Sequence, residues 1–565
     1  MSRSNKNIDE EICADRLSDF SYDSDSESLD TAESDNDEII PRSQVFIQKR
    51  ISNSSETISD EVTDEWSSID NPPVLEEFLG HPGITDMANV PESIADAVKL
   101  FIGDDFFAYL VTESNRYYYQ NMDQFKISRK RMKWRDITIP EMKKFLGLII
   151  LMGQVRKDAR DDYWSTDPCT STPFFSRTMS RDRFRQIWTA WHFNNNENIT
   201  DESDRLYKVR PILNYFSEKF NNIYKPKQQI SLHEGIIPWR GRLFFKVYNA
   251  ENIIKYGILI RILSESDTGY ICNFQVYAAQ GSPLIETIYT VVSPYTDVWH
   301  HLYMDNYYNS VDNTEALLQK KIRICGTVRK NRGLPECLKK TNLRKGESIF
   351  RRKKDILVQV WQSKKEVSLI SSIHSAEMKK SSNVDRTTRK KIIMPNALID
   401  YNKYMKGVDR ADQYLSYYSI LRKTVKWTKR LTMYIMNCAF FNAYVVYNST
   451  KMQKIRFKKF LHDTAQHWVT DELPEINTDE LPEIIIEEPE QMISKRDPPG
   501  RLSMDMRKHV LEKIVGTGKK KNPQRQCRVC AAKKVRSETY FMCNFCGVPL
   551  HRGKCFERYH TVKNY

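Results

Sequence analysis

Apolar and polar positions recur with two different rhythms along the chain. From about residue 96 the spacing is helical. Thr138-Ile-Pro-Glu141 is a capping box ahead of the apolar run 145–152. Ser180 is placed as an N-cap, and Phe184, Ile187, Trp188 and Trp191 then fall on one helix face. Residues 96–225 are therefore predicted as a mainly helical domain with that aromatic stripe as core. From 229 the period shortens. Residues 229–237, 243–247, 256–264, 270–278 and 298–304 are short, β-branched and aromatic, and separated by turn residues, which predicts strands. A helix over 311–321 and a strand over 322–328 follow. Strands leading into a strand–helix–strand unit predict a mixed α/β sheet. Residues 345–375 return to strand character (ILVQVWQ, VSLISSI), and residues 396–447 are again helical. The most apolar stretch, 431–447, carries Asn437 and Asn442 and falls short of the ~18–20 residues of a membrane span. It reads as a buried helix, and no membrane partner is expected.

Two stretches lack either rhythm. Residues 1–75 are rich in Ser, Asp and Glu and cannot bury enough apolar surface to offset chain entropy, which predicts a disordered acidic tail. Its serines beside acids invite acid-directed kinases; a passive solubilising tail is the alternative. Residues 471–490 hold nine acids and no bases, with a tandem TDELPEIN and TDELPEII. Two Pro-bearing copies make a linker, since a repeat array needs at least three.

Length and charge sharpen this. A chain of 565 residues allows roughly three to four domains. It holds 87 Lys+Arg against 73 Asp+Glu, a net charge of +14. Residues 1–70 hold 19 acids and 6 bases, about −13, which leaves about +27 on the rest. A basic body points to an anionic partner, nucleic acid ahead of a membrane surface. The opening MSRSNKNIDEEICADRLS lacks an apolar signal core, so secretion is not expected. Five of the 11 cysteines follow residue 526, which suggests metal in a reducing compartment.

Three constellations carry candidate chemistry. Asp305 closes an apolar strand, and Asp409 and Asp412 open a helix three residues apart, on one face. A hard divalent cation takes such oxygen ligands; for Asp409 the plain alternative is a helix N-terminal charge. Next, Cys527, Cys530, Cys543, Cys546, His551, Cys555 and His560 give seven ligand candidates within 34 residues. The two CxxC pairs have zinc spacing and predict two tetrahedral Zn²⁺ sites in a cross-braced finger, with the eighth ligand open. A protein-binding finger is the alternative; 12 bases against 2 acids over 501–536 favour DNA. Lys519-Lys520-Lys521 is a short basic run of nuclear-import type. Third, residues 320–354 hold 14 Lys/Arg and 2 acids, and a second basic belt follows over 422–430. Charge runs are usually solvated faces, but two of them flanking the acids suggest a DNA channel. Its candidate contacts are Arg329, Lys330, Arg332, Arg422, Lys423, Lys426, Lys429 and Arg430. Trp427 could stack on bases, whereas Trp361 reads as core. His300 and His301 read as a surface pair, and Cys272, Cys325 and Cys438 as core.

The order and wording of several motifs resemble a piggyBac-type transposase. They are ESNRYY (113–118), YWSTDP (163–168), SLHEGIIPWRGR (231–242), NIIKYGI (252–258), LYMDNYYNS (302–310), GTVRKNRGLP (326–335), YNKYMKGVDRADQ (401–413) and RKTVKWTKR (422–430), with the C-terminal Cys/His cluster. The resemblance spans about 95–460 and 527–565. It implies an α/β fold with an RNase-H-like (DDE/D transposase) core at 229–344 and 396–460, interrupted by a β-rich insertion at 345–395. The helical domain precedes it, and a linker at 461–525 leads to the finger at 527–565. It implies a nuclear homodimer on double-stranded DNA, nicking transposon terminal repeats and forming hairpins at TTAA sites. Three acids would bind two Mg²⁺ or Mn²⁺ ions: the second falls on Asp305 and the third on Asp409, with Asp412 a further acid beside the site. Similar tails bind terminal repeats, more often with Cys where His551 stands.

The first acid is where this chain departs. The resembled motif reads Ser-Ile/Val-Asp-Glu, and here it is Ser231-Leu232-His233-Glu234. Imidazole is a poor Mg²⁺ ligand and is neutral near pH 7. Glu234 should point to the opposite strand face. Transition ions such as Mn²⁺ accept imidazole more readily. The expectation is a strongly impaired transposase; the alternative is a non-enzymatic DNA- or chromatin-binding regulator domesticated from one.

Overall fold

The computed structural model describes residues 66–86, 90–125, 133–197, 203–249, 254–384, 391–470, 509–514, 523–533 and 535–562. Residues 1–65, the acidic repeat and the Lys519 run lie outside the described residues. The chain divides into two compact units between Pro474 and Glu475.

The first unit opens with helices. They are α1 (Ile94–Phe101), α2 (Asp104–Gln120), α3 (Ile139–Gln154), α4 (Arg181–Ala190) and α5 (Arg210–Ile223). The Thr138/Glu141 capping box starts α3, and the Ser180 hydroxyl accepts the Arg183 N–H to start α4. Phe184, Ile187, Trp188 and Trp191 are all buried and join one apolar core.

A nine-stranded mixed sheet follows, with β1 (Gln229–Pro238), β2 (Tyr256–Glu265), β3 (Ile271–Val276), β4 (His300–Met304), β5 (Ile322–Thr327), β6 (Ser348–Lys353), β7 (Ile356–Gln362) and β8 (Glu366–Ser371). The two-residue strand Val247–Tyr248 pairs with β2, and the path runs β2-β1-β4-β5-β8-β7-β6, with β3 also on β2. Only β1–β4 and β4–β5 are parallel. Helix α6 (Leu284–Val292) and α7 (Val311–Gln319) fill the connections between strands. The expected 243–247 strand is correspondingly reduced to Val247–Tyr248.

The β-rich insertion is less separate than the sequence suggests. Strand β8 pairs antiparallel with β5, so β6–β8 extend the central sheet across its free edge. Beyond them a hairpin, β9 (Met378–Val384) and β10 (Lys391–Pro395), makes its own two-stranded sheet. Then come α8 (Asn396–Tyr404), α9 (Lys406–Tyr417), α10 (Trp427–Thr450) and α11 (Phe457–Thr470). Helix α10 is buried along most of its length. Asn442 in it bonds both the N–H and C=O of Ile271, and the Asn437 amide donates to the Leu415 carbonyl. Among the described residues no helix is long and apolar enough to cross a membrane.

Two boundaries need correction. Residues 461–470, expected in the linker, belong to α11, because Phe457, Phe460, Leu461, Ala465 and Trp468 form an apolar stripe that buries in the core. The tail expected to be disordered to 75 is seated from Trp66 onward. Ser67 bridges to Arg352, and Asp70 and Glu76 pair with Arg352 and Arg323, which are 3% and 2% exposed. Two buried guanidiniums need carboxylate partners, and this segment supplies one to each, with Asp355 also 3.0 Å from Arg323.

Candidate functional site

The parallel pairing of β1 and β4 places the candidate acids. Its register runs from Gln229 opposite His301 to Leu232 opposite Met304. The pairing ends there, with His233 the next residue of β1 and Asp305 the first residue after β4. Alternation along β1 puts Glu234 on one sheet face and His233 on the other. Gly235 lies on the His233 face too. A Cβ there would come within 3.6 Å of the Tyr434 hydroxyl of α10. Burial, with Cys438 and Asp412 adding to it, pushes that hydroxyl well above its usual range. Helix α9 carries Asp409 and Asp412 across β1 and β2. Gly407 permits this: a Cβ would lie 2.6 Å from Ser266 Cα and 2.8 Å from the Glu265 carbonyl oxygen. Asp409 stands three residues before Asp412, with its side chain outside the described ones. Glu234 points to the opposite face, where Tyr308 donates to it at 2.8 Å.

The candidate donors are the His233 imidazole, the Asp305 carboxylate and the half-buried Asp412; they do not form a group within 4.8 Å, as the Cys and His ligands of the second unit do. A pair of magnesium ions requires oxygen ligands around both, and a nitrogen at position 233 does not fit that requirement.

The basic belts divide. Arg329 is exposed and its Nε donates to Asn306, and Arg332 is half-buried. Lys330 is half-buried and already paired, 2.5 Å from Glu366 and bonded to the Lys339 carbonyl. In the second belt Lys423 is exposed. Lys426 donates to the Tyr117 hydroxyl, and Arg422 to the Ser419 and Ile420 carbonyls. Lys429 and Arg430, expected at a DNA surface, are 2% and 5% exposed. Lys429 donates to the Trp188 and Thr189 carbonyls at the C-terminal end of α4, and Arg430 to the Pro238 carbonyl. A cation at a helix C-terminus satisfies carbonyls that lack partners. Burial lowers Arg422 and Arg430 to about 10. Trp427 packs edge-on against Phe245, and Trp361, Cys272, Cys325 and Cys438 are core. His300 and His301 are not a surface pair: both are buried, and burial lowers both to about 4.

In the second unit all seven predicted Cys and His ligands converge, with an eighth. Cys527, Cys530, His551 and Cys555 form one set; His509, Cys543, Cys546 and His560 form the other. Within each set the four ligand atoms lie within 4.8 Å of one another. The sets alternate along the chain, which is a cross-brace. His509 lies in the segment assigned to the linker, 18 residues before Cys527. Its signal was a lone His, too far from either CxxC to be read as a ligand. Its Nδ1 is 3.4 Å from Cys546 Sγ. His560 Nδ1 faces the Phe556 carbonyl at 2.8 Å, which leaves Nε2 toward Cys546. His551 is held in the same manner, Nε2 on the Glu538 carbonyl and Nδ1 toward Cys530. Such outer bonds fix the tautomer that a metal needs. Both sets fit a tetrahedral metal.

Comparison with known proteins agrees with both units. Residues 96–444 match the family described as Transposase IS4, and residues 506–561 the one described as DDE_Tnp_1-like zinc finger. The chain is 24% identical over 497 residues to human PiggyBac transposable element-derived protein 3, covering 84% of this chain and 77% of that one. It is 23% identical over 408 residues to human PiggyBac transposable element-derived protein 2, covering 67% and 66%. Among solved structures it resembles a piggyBac transposase in a synaptic complex with hairpin DNA. The TM-score is 0.61 at 24% identity, over 84% of this chain and 100% of that one.

Proposed function

Because the chain belongs to the Transposase IS4 family, in its piggyBac-type branch, we propose that it is a DNA-binding protein descended from a transposase, with strand cleavage impaired at His233. The ancestral reaction is metal-dependent cleavage and 3′-hydroxyl strand transfer at TTAA sites on an RNase-H-like core. The observation that supports the reading is the parallel pairing of β1 with β4, whose last pair, Leu232 and Met304, immediately precedes His233 and Asp305. An imidazole at position 233 removes a negative charge and an oxygen donor from a site that must hold hard cations. No cleavage step is assigned to the present residues.

DNA binding is supported by the exposed Arg329 and Lys423 and by the basic finger. The ions of the finger would be zinc, held by three thiolates and one imidazole in one set and two of each in the other. Zinc there staples a domain too small to fold on its apolar core alone. A homodimer holding two DNA ends in the nucleus completes the proposal.

The test is excision of a TTAA-flanked transposon with ends from mobile relatives in the same genome. Wild type and His233→Asp are compared, with binding to those ends measured for both. Excision by His233→Asp alone supports the proposal. Excision by the wild type overturns it.

A further inference from the structure

Asp305 sits at the mouth of a loop, residues 305–309, that is pinned at every step. Its Oδ1 accepts the Tyr307 N–H at 2.8 Å. The Asn309 amide donates to the Met304 and Thr327 carbonyls, both at 2.9 Å, tying the loop to β4 and β5. Gly326 makes room for it, since a Cβ there would collide with the Met304 carbonyl oxygen and the Asn309 amide. Asn313 holds the Tyr308 carbonyl, and Arg329 holds Asn306. The remaining anchor comes from below. The fully buried Tyr308 donates its hydroxyl to Glu234 Oε1 at 2.8 Å, and Arg261 Nε on β2 lies 3.6 Å from the same oxygen.

A carboxylate in such a place is costly to bury. Burial pushes Glu234 above the usual carboxylate range and nearby Asp305 adds to it, while Tyr308 and Arg261 act the other way. Desolvation pushes Tyr308 well up as well, so it stays a neutral donor. The oxygen is committed to the face opposite His233, so Glu234 is no substitute for the missing acid. What it does is fix the loop.

We propose that Glu234 is the positioning residue of this site, holding Asp305 at its strand end through the Tyr308 hydroxyl. The proposal rests on the reading that the Asp305 end of the sheet is the inherited cleavage site. It adds that the scaffold around the substituted position is intact, so that replacing His233 by Asp meets a correctly placed partner.

The test is made in the His233→Asp background. Tyr308→Phe and Glu234→Ala should each lower excision on the order of 100-fold, the effect expected of a small misplacement of a reacting group. Each should also raise the Mg²⁺ concentration for half activity about 10-fold, with affinity for the DNA ends unchanged. Glu234→Gln keeps an oxygen for Tyr308 and should stay within about 3-fold of the parent. The proposal is overturned if Tyr308→Phe matches the parent or if Gln is as damaging as Ala. If the parent excises nothing, the impairment reading fails by itself. The clamp is then read from hydrogen exchange over 305–309 in the same proteins. Faster exchange in Tyr308→Phe and Glu234→Ala but not in Glu234→Gln supports it, and equal exchange in all overturns it.

Discussion

The finger gathers its candidate ligands and the sheet does not: two four-ligand sets close in the second unit, whereas His233, Asp305 and Asp412 form no such group among the described residues of the first. In the finger, the His551 imidazole closes a set with three cysteines, Cys527, Cys530 and Cys555. His509 and His560 join Cys543 and Cys546 in the other. Soft-to-borderline sites accept imidazole and thiolate alike. In the first unit, the proposed reading is that an imidazole at position 233 spoils a site for hard cations. On that reading a substitution is judged against the ion, and one residue type has opposite consequences in the two units. The largest expected effect follows from the finger's dependence on metal. Structural zinc contributes roughly 10–16 kcal/mol to domains of this kind. Chelation of the full chain should therefore release two ions and abolish exchange protection over 509–562, leaving the first unit protected. His509→Ala should lower metal content from two to one per chain. Two retained ions would remove His509 from the set.

Much of this was legible in the sequence. Strands expected at 229–237, 256–264 and 298–304 appear as Gln229–Pro238, Tyr256–Glu265 and His300–Met304, because β-branched alternation bounded by turns has few other solutions. The finger was legible because CxxC spacing is itself geometry. What escaped was long-range. Nothing local marks Asp70 and Glu76 as partners of buried arginines some 250–280 positions away. Nor does a run such as RKTVKWTKR reveal that Lys429 and Arg430 turn inward, since a basic run reads the same whether it meets phosphate or carbonyls. The core site was half legible. The motif order gave the positions, and only the structure shows that the strands leading to His233 and Asp305 pair in parallel.

The next effects separate the units in the other direction, acting on the first and sparing the finger. His374 on the loop after β8 faces Asp400 of α8 at 2.9 Å and Ser371 on its other nitrogen. Burial opposes its charge, but Cys325 and Asp400 outweigh it and raise it to about 9. A raised imidazole contributes stability that is complete below its unfolded value near 6.5 and is lost as pH rises through 9. Asp400 is lowered, so its share is lost only below about pH 4. Denaturant unfolding should show the wild type losing about 2 kcal/mol between pH 6.5 and 9.5 relative to His374→Gln. Parallel pH curves would break the pairing argument. Lys429→Met should cost the first unit ~1–3 kcal/mol at any pH, since it strands the Trp188 carbonyl. Metal content should be unchanged in both variants.

The smallest effect is the one that tests which cations meet DNA. Lys423 is exposed, whereas Lys429, six residues on, is buried on helix carbonyls. A lysine that neutralises one phosphate releases one condensed counterion, and its loss lowers the slope of log affinity against log salt by about 1. A lysine on a carbonyl releases none. Lys423→Ala should therefore weaken binding to duplex DNA by a few-fold, equally on all sequences, with unfolding unchanged. Lys429→Met should leave the salt slope alone while lowering stability. Measuring both slopes by titration between 50 and 200 mM salt decides it, in steps of roughly one counterion. If Lys429→Met flattens the slope as much as Lys423→Ala does, the second belt faces DNA as a whole. Its inward bonds would then be traded for phosphates on binding, and the belt, like the strand ends, would be read correctly only against its partner.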